Sequence, residues 1–516
     1  MPNQIKQILA SLKKNYEFFF LFIFLVYFIF ISSYQISVPW DNSHKGYVGS
    51  QRSLYALKFM GSSISEHKFA QMWNTDWFDR TTEFHYKYYF HHPPGITYLL
   101  WITFSIFGVS EAIARLAPIL LNLGILILFY LTVRTLFKKI MALISIFYLL
   151  TSPLFFYIRN FVAPEVMAVF FISLLSFFYA CWLKKKNNKY LIMLIAGFFF
   201  GSLSDWQIYF FLPAIILHYL LFIRKEYNVD KYFLFIFILP FLSIGLYFLY
   251  VYLVTGSIGG ENTNLGGNLF QTLFFRMNIS SNSYDITFLK LLSNFWRDLS
   301  DYFTPVFTII FIGGMLLFCW ASLKKREFYL EMFFIFLFLS LSSSLFILGN
   351  LYYIHNYIIM IVLTSFFPIM ILSIFKFGSM IRKQNRYFFL FIIFLVLSSI
   401  YLTSSYKLTR KLAMDELNTF PLVPFLKENP ENFISIYASH PEAFQTRYYH
   451  RNRKIVYITD FEDLKKILDG NKQSEEFRYV ISKSEELEKK DRRINELLLD
   501  YPAQKLPYDW IVFKLY

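Results

Sequence analysis

A chain of 516 residues that is 56% hydrophobic and 22% aromatic, with only 16% charged residues, is excluded from the water-soluble class, because its surface would have to be largely apolar. The net charge of +15 does not point to nucleic acid, since the lysines and arginines fall in short clusters between apolar runs or near the C-terminus, which is the pattern of membrane topology. Cys181 and Cys319 are the only cysteines and both lie inside apolar runs, so neither a disulfide framework nor a thiolate metal site is available.

In chain order, Phe18 to Ile31 forms the apolar core of a first membrane helix, and no small-residue cleavage pattern follows it, so it is read as retained. Lys13 and Lys14 place its leading side in the cytoplasm. Tyr34 to Pro94 is then outside. The stretch Gly95 to Gly108 is too short to cross a core of about 30 Å and is expected to be interfacial or re-entrant, whereas 112–136 is a full second span. Further spans are expected at 140–158, 164–183, 190–204, 207–223, 232–254, 303–322, 328–349, 355–376 and 387–405. This set keeps Lys184 to Lys186, Arg224 with Lys225, Lys324 to Arg326, and Arg382 with Lys383 on one side. The fold class is therefore an α-helical polytopic membrane protein of about eleven transmembrane helices, since only a helix or a closed barrel satisfies its own backbone in lipid.

Residues 1–405 are expected to form this bundle, with outer loops at 34–110 and 255–302. The second loop carries Gly256, Gly259, Gly260, Gly266 and Gly267 and is expected to be flexible. Residues 406–516 change composition and predict a small extracytoplasmic α/β domain. Strands are expected near 433–438, 454–459, 477–481 and 510–515, helices near 442–449, 460–468 and 483–499, and the sheet is expected to be largely parallel. No glycine-rich phosphate loop opens any of those helices, so a nucleotide site is not expected.

The polar residues at the outer boundary are the candidates for chemistry. Asp41 follows the first span in Trp40-Asp41-Asn42-Ser43-His44, where it is either a helix cap or a catalytic carboxylate. Tyr88-Tyr89-Phe90-His91-His92-Pro93-Pro94-Gly95 offers donors beside a proline-opened helix, suited to a phosphate, against the plainer account of an interfacial aromatic belt. Arg159 and Glu165 bracket Pro164 at a helix start, where the acid favours the dipole and the arginine could be a snorkelling anchor. Arg115 adds a cation near the start of the second span. Asp205-Trp206-Gln207 has the character of an ordinary turn, while His355 and Tyr357, in Asn350 to Tyr357, open a span with further donors. Charged groups at a membrane boundary are functional candidates by default.

The order of these motifs resembles the GT-C superfamily of membrane glycosyltransferases, in the branch of protein O-mannosyltransferases and lipid A aminoarabinose transferases. The residues that carry the resemblance are Asp41, then His92-Pro93-Pro94, Gly108-Val109-Ser110-Glu111 with Arg115-Leu116-Ala117-Pro118, and Arg159 with Glu165. The resemblance implies an inverting hexosyl or pentosyl transferase that moves a sugar from a polyprenyl-phosphate donor to a hydroxyl of lipid A, a glycan, a glycolipid or a protein. Asp41 would be the general base. Glu165 would be the second acidic residue, where the family more often has Asp. His92 stands where many members have Lys and, with Tyr89 and His91, would meet the donor phosphate. Arg159, His355, Tyr357 and Arg115 would be further phosphate partners. No cofactor is required, and no motif supports a divalent metal. The resemblance also suits an inner (plasma) membrane, with a cytoplasmic N-terminus and the lipid bilayer, donor and acceptor as partners. A transporter or lipid flippase is the alternative, disfavoured because the charges lie at one edge and no repeated halves are visible.

Overall fold

The computed structural model describes residues 3–34, 36–41, 43–72, 88–224, 231–260, 268–279, 284, 286–325, 328–380, 422–429, 431–436, 455–458, 461–474, 477–483, 492–506 and 510–515. The chain divides into two compact units. One comprises Met1–Ile36, Arg115–Leu249 and Leu273–Leu412; the other comprises Ser37–Ala114, Tyr250–Thr272 and Ala413–Tyr516.

The protein is a multi-pass helical membrane protein. Among the described residues, eight helices are long and apolar enough to cross a membrane: Tyr16–Ser33, Glu111–Leu136, Pro164–Lys185, Trp206–Ile223, Phe233–Thr255, Pro305–Ser322, Tyr329–Ile347 and Asn356–Phe377. Their burial is graded. Asn356–Phe377 is almost wholly enclosed, whereas Tyr16–Ser33 leaves Phe18, Phe19, Phe22 and Phe30 exposed, as a helix facing lipid does.

Three apolar helices are shorter: Gly95–Phe107, Lys139–Thr151 and Lys189–Gly201. The first matches the short helix expected after Pro94. The expected span 140–158 is broken instead, because Ser152 is extended, Pro153 has no N–H to continue the ladder, and the Ser152 hydroxyl accepts from Phe155 N at 3.1 Å to start a separate helix, Pro153–Ile158. The expected span 190–204 ends at Gly201. The expected span 387–405 lies outside the described residues.

The C-terminal part of the second unit holds a five-stranded sheet. Its strands are β1 (Phe433–Ile436), β2 (Ile455–Ile458), β3 (Tyr479–Lys483), β4 (Ala503–Leu506) and β5 (Trp510–Lys514), in the order β2-β1-β3-β5-β4. The sheet is mixed rather than largely parallel: β2, β1 and β3 run parallel, and β5 and β4 add antiparallel. The source of the difference is β4, whose Ala-Gln-Lys-Leu sequence is exposed at a sheet edge and lacks the apolar alternation that announces a strand. Helices Phe461–Ser474 and Arg492–Leu498 contribute Leu464, Leu468, Ile494 and Leu498 to a core with Ile434, Ile436, Val480 and Phe513. The helix expected at 442–449 falls outside the described residues.

Candidate active site

In the second unit, Trp40-Asp41 folds back on the helix His44–Gly61 that follows it. Ser43, not Asp41, is the N-cap: its hydroxyl accepts from Lys45 N at 3.1 Å. Asp41 reinforces the same end, its Oδ1 accepting from Ser43 N at 2.8 Å, from Gly46 N at 3.1 Å and from the Ser43 hydroxyl. The carboxylate is 4% exposed and is fixed by backbone donors from within five residues. Two glycines permit this fold-back. A Cβ on Gly46 would stand 2.1 Å from the Asp41 carbonyl oxygen, and one on Gly49 would stand 2.4 Å from the Trp40 ring. Burial holds the neighbouring His44 imidazole down at about 4.

The middle of the same helix carries the His-His-Pro-Pro turn. Arg52, buried, donates through Nη1 to Gln71 Oε1 at 2.9 Å; Thr97 donates to the same oxygen at 2.7 Å, and Gln71 Nε2 donates to the His92 carbonyl at 2.8 Å. The Arg52 guanidinium also lies 5.2 Å from the Tyr89 ring centre and 5.7 Å from that of Tyr55. His92 lies nearly parallel to Tyr89, 6.4 Å away, and His91 Nε2 is 3.1 Å from the Thr272 hydroxyl. The turn therefore has its backbone held through one glutamine, with the His92 ring stacked on Tyr89 and the His91 ring tilted against it, 4.9 Å away. Neither Arg52 nor Gln71 was expected from sequence. The available signal was an arginine standing in the apolar stripe Val48, Arg52, Tyr55, Ala56, Phe59, all of them buried.

In the first unit, Arg159 is 1% exposed, which removes the snorkelling explanation. Its Nη1 donates to the Phe156 carbonyl at 2.7 Å, and its guanidinium sits 3.6 Å from the Phe156 ring centre. Asn122 Nδ2 ties this segment to the helix Glu111–Leu136 by donating to the carbonyls of Pro118 and Ile158, both at 2.9 Å. Glu165 is buried in the first turn of Pro164–Lys185. Tyr357 packs edge-on against Phe161 at 5.1 Å and lies 5.6 Å from His355, so the Arg159 segment and the 355–357 segment share one packing surface. Arg115 Nη1 donates to the Ile36 carbonyl at 2.8 Å, fastening the end of the first helix. Asp205 accepts from Gln207 N at 3.4 Å and caps a short helical turn, in keeping with the ordinary turn expected there.

The first unit also contains a carboxylate that the sequence did not single out. Asp298 lies on the buried face of Phe288–Phe303, with Leu291, Phe295, Leu299 and Phe303. Tyr352 donates to its Oδ2 at 2.7 Å, and Arg297 Nη2 donates to its Oδ1 at 3.0 Å. Burial pushes the Asp298 carboxyl above its ordinary value, against the opposing pull of the Tyr352 hydrogen bond and of Arg297. Tyr352 belongs to the helix Gly349–Ile354, which Asn350 also anchors by donating to the Phe275 carbonyl at 2.6 Å. His355 and Tyr357 follow directly. Among the described residues, no three His, Cys, Asp or Glu side chains gather as metal ligands.

Residues 91–265 match the family described as Dolichyl-phosphate-mannose-protein mannosyltransferase. An uncharacterized protein of Aquifex aeolicus (strain VF5) is 33% identical over 166 residues, and the matched stretch spans about a third of either protein, 31% of this chain and 33% of that one. Among solved structures, ArnT from Cupriavidus metallidurans bound to undecaprenyl phosphate superposes with a TM-score of 0.59 at 11% identity, over 96% of this chain and 97% of that one. Archaeal oligosaccharyltransferase AglB from Archaeoglobus fulgidus, in complex with an inhibitory peptide and a dolichol-phosphate, superposes with a TM-score of 0.54 at 14% identity, over 92% of this chain and 70% of that one. The fold is shared with these two solved structures, and part of the chain matches the family model, in the direction the ordered motifs suggested.

Proposed function

We propose that the protein is a glycosyltransferase that moves a sugar from a polyprenyl-phosphate donor to a hydroxyl acceptor, with inversion and without a cofactor. The observation that carries this proposal is the Asp41 carboxylate, buried at the head of the helix that also holds the His91-His92 turn. A lipid-phosphate sugar brings its own leaving group, so the protein must supply a base for the acceptor hydroxyl and fixed donors for the departing phosphate. Asp41 is the base. Tyr89, His91 and His92 meet the phosphate, with Arg159, His355 and Tyr357 as further contacts, and Glu165 is the second acidic residue. Arg115, engaged with the Ile36 carbonyl, is the weakest of the phosphate partners. Two neighbours of the same fold were solved with polyprenyl phosphates, which supports a lipid-linked donor.

The proposal includes an inner-membrane location, with the N-terminus cytoplasmic and the C-terminal domain outside, because that orientation puts the lysine clusters inside. The test incubates the purified protein in lipid with a panel of radiolabelled polyprenyl-phosphate sugars and acceptors of each class, comparing wild type with Asp41→Asn. Transfer that Asp41→Asn lowers by about 10² to 10⁴ supports the role. Equal turnover by both proteins removes Asp41 from it, and transbilayer movement of the lipid without sugar transfer would favour a flippase instead.

A further inference from the structure

At one end of the first unit, where the spans Tyr16–Ser33 and Glu111–Leu136 both reach the membrane boundary, Glu17 is 1% exposed and accepts from three groups. Tyr130 donates its hydroxyl at 3.0 Å, Arg134 donates through Nε and Nη2 at 3.0 Å each, and Lys139 donates through Nζ at 2.6 Å. The side chains of Arg134 and Lys139 are nevertheless 35% and 50% exposed. They form one wall of an open cavity of about 620 Å³, lined by Tyr16, Arg134, Thr135, Lys138 and Lys139 with the apolar Phe137 and Ile140, and among the described residues no lining side chain is acidic. One buried carboxylate against three cations leaves a surplus of positive charge around this cavity.

Cations that only record topology need no more than solvent around them. Here a buried carboxylate holds two of them on a cavity wall, an arrangement that topology does not require and that fixes both cations in place for an anion. The surface next to the cavity is apolar and suited to acyl chains: Phe18, 5.7 Å from the Arg134 guanidinium, and Phe22 one turn further along the same helix are both exposed. We propose that this cavity binds the phosphate headgroup of an anionic phospholipid, whose chains lie along the exposed phenylalanine face of the first helix. The site shares no residue with the groups assigned to sugar transfer and does not depend on that reading.

The full-length protein in neutral detergent would be titrated with phosphatidylglycerol, phosphatidylcholine and inorganic phosphate, with binding followed by native mass spectrometry. Phosphatidylglycerol should bind about fivefold or more tightly than phosphatidylcholine, and Lys138→Gln, at an exposed position, should weaken it about fivefold. Lys184→Gln, in a different basic cluster, should leave it unchanged. Glu17→Gln separates an organised site from diffuse attraction: it makes the region more positive yet releases Arg134 and Lys139, so binding should weaken. The proposal is overturned by equal affinity for the two lipids, by equal losses in Lys138→Gln and Lys184→Gln, by tighter binding in Glu17→Gln, or by inorganic phosphate displacing the lipid at comparable concentration.

Discussion

Asp41 and Asp298 are both buried carboxylates, and the chain satisfies them by opposite routes. Asp41 has Ser43 and Gly46 among its donors, within five residues along the chain. Asp298 has Arg297 beside it but takes its hydroxyl donor from Tyr352, 54 residues away, across two elements that meet only when the first unit is folded. The first arrangement is a local nest whose geometry is set by helix capping; the second is a tertiary clamp whose geometry is set by packing. Substitutions near Asp41 should therefore act on chemistry first, and substitutions around Asp298 should act on placement and stability.

The largest effect is expected for Asp41→Asn, the loss in transfer given above. Next comes Gly46→Ala. The new methyl would meet the Asp41 carbonyl at 2.1 Å, so backbone must shift and the carboxylate with it, and a displacement of this order costs about 10² in turnover while the melting temperature moves by only a few degrees. If Gly46→Ala loses stability and turnover in proportion, the nest is structural only.

Smaller changes are expected at the clamp. Tyr352→Phe deprives a buried carboxylate of its hydroxyl donor and should cost about 1 to 3 kcal/mol of stability. Because Tyr352 precedes His355 and Tyr357 in the same segment, it should also raise KM for the lipid-linked donor more than it lowers kcat. Asp298→Asn keeps an acceptor for Tyr352 and should retain most of the donor affinity. Equal damage from the two variants, with kcat and KM moving together, would assign the pair to folding alone.

This contrast also explains what was legible in the sequence. Long apolar runs predict membrane helices because lipid leaves the backbone no alternative, and Asp41 stands out because it directly follows such a run, His92 and Glu165 because each adjoins a proline at the start of one. Arg52 and Gln71 do not stand out, since Gln71 lies 21 residues before His92 and nothing in the intervening sequence ties them together. Asp298 is hidden for the same reason, in a helix whose surface face also carries charges such as Lys290 and Arg297. The break at Ser152-Pro153 was visible as residues, but hydropathy averages over it. The edge strand β4 was missed because an exposed edge has no need of an apolar pattern.

The smallest expected effect concerns pH and the environment of Asp41. Burial holds His44 near 4, below the 6.5 of an exposed imidazole, so the unfolded chain binds a proton that the folded chain refuses. The contribution is thus fully present above pH 6.5 and is lost as pH falls toward 4. His67, also lowered by burial, adds a slope of the same sign. Since His44 is only half-buried, its share is about 1 to 2 kcal/mol. Thermal melts of the protein in lipid at about pH 7, 5.5 and 4, which span the window from about 6.5 down to about 4, should show His44→Gln losing less stability than wild type on acidification, with His67 leaving a residual slope in both. Parallel curves would mean that the head of this helix is open enough for water to reach the imidazole, and the Asp41 nest would then have to be regarded as solvated rather than enclosed.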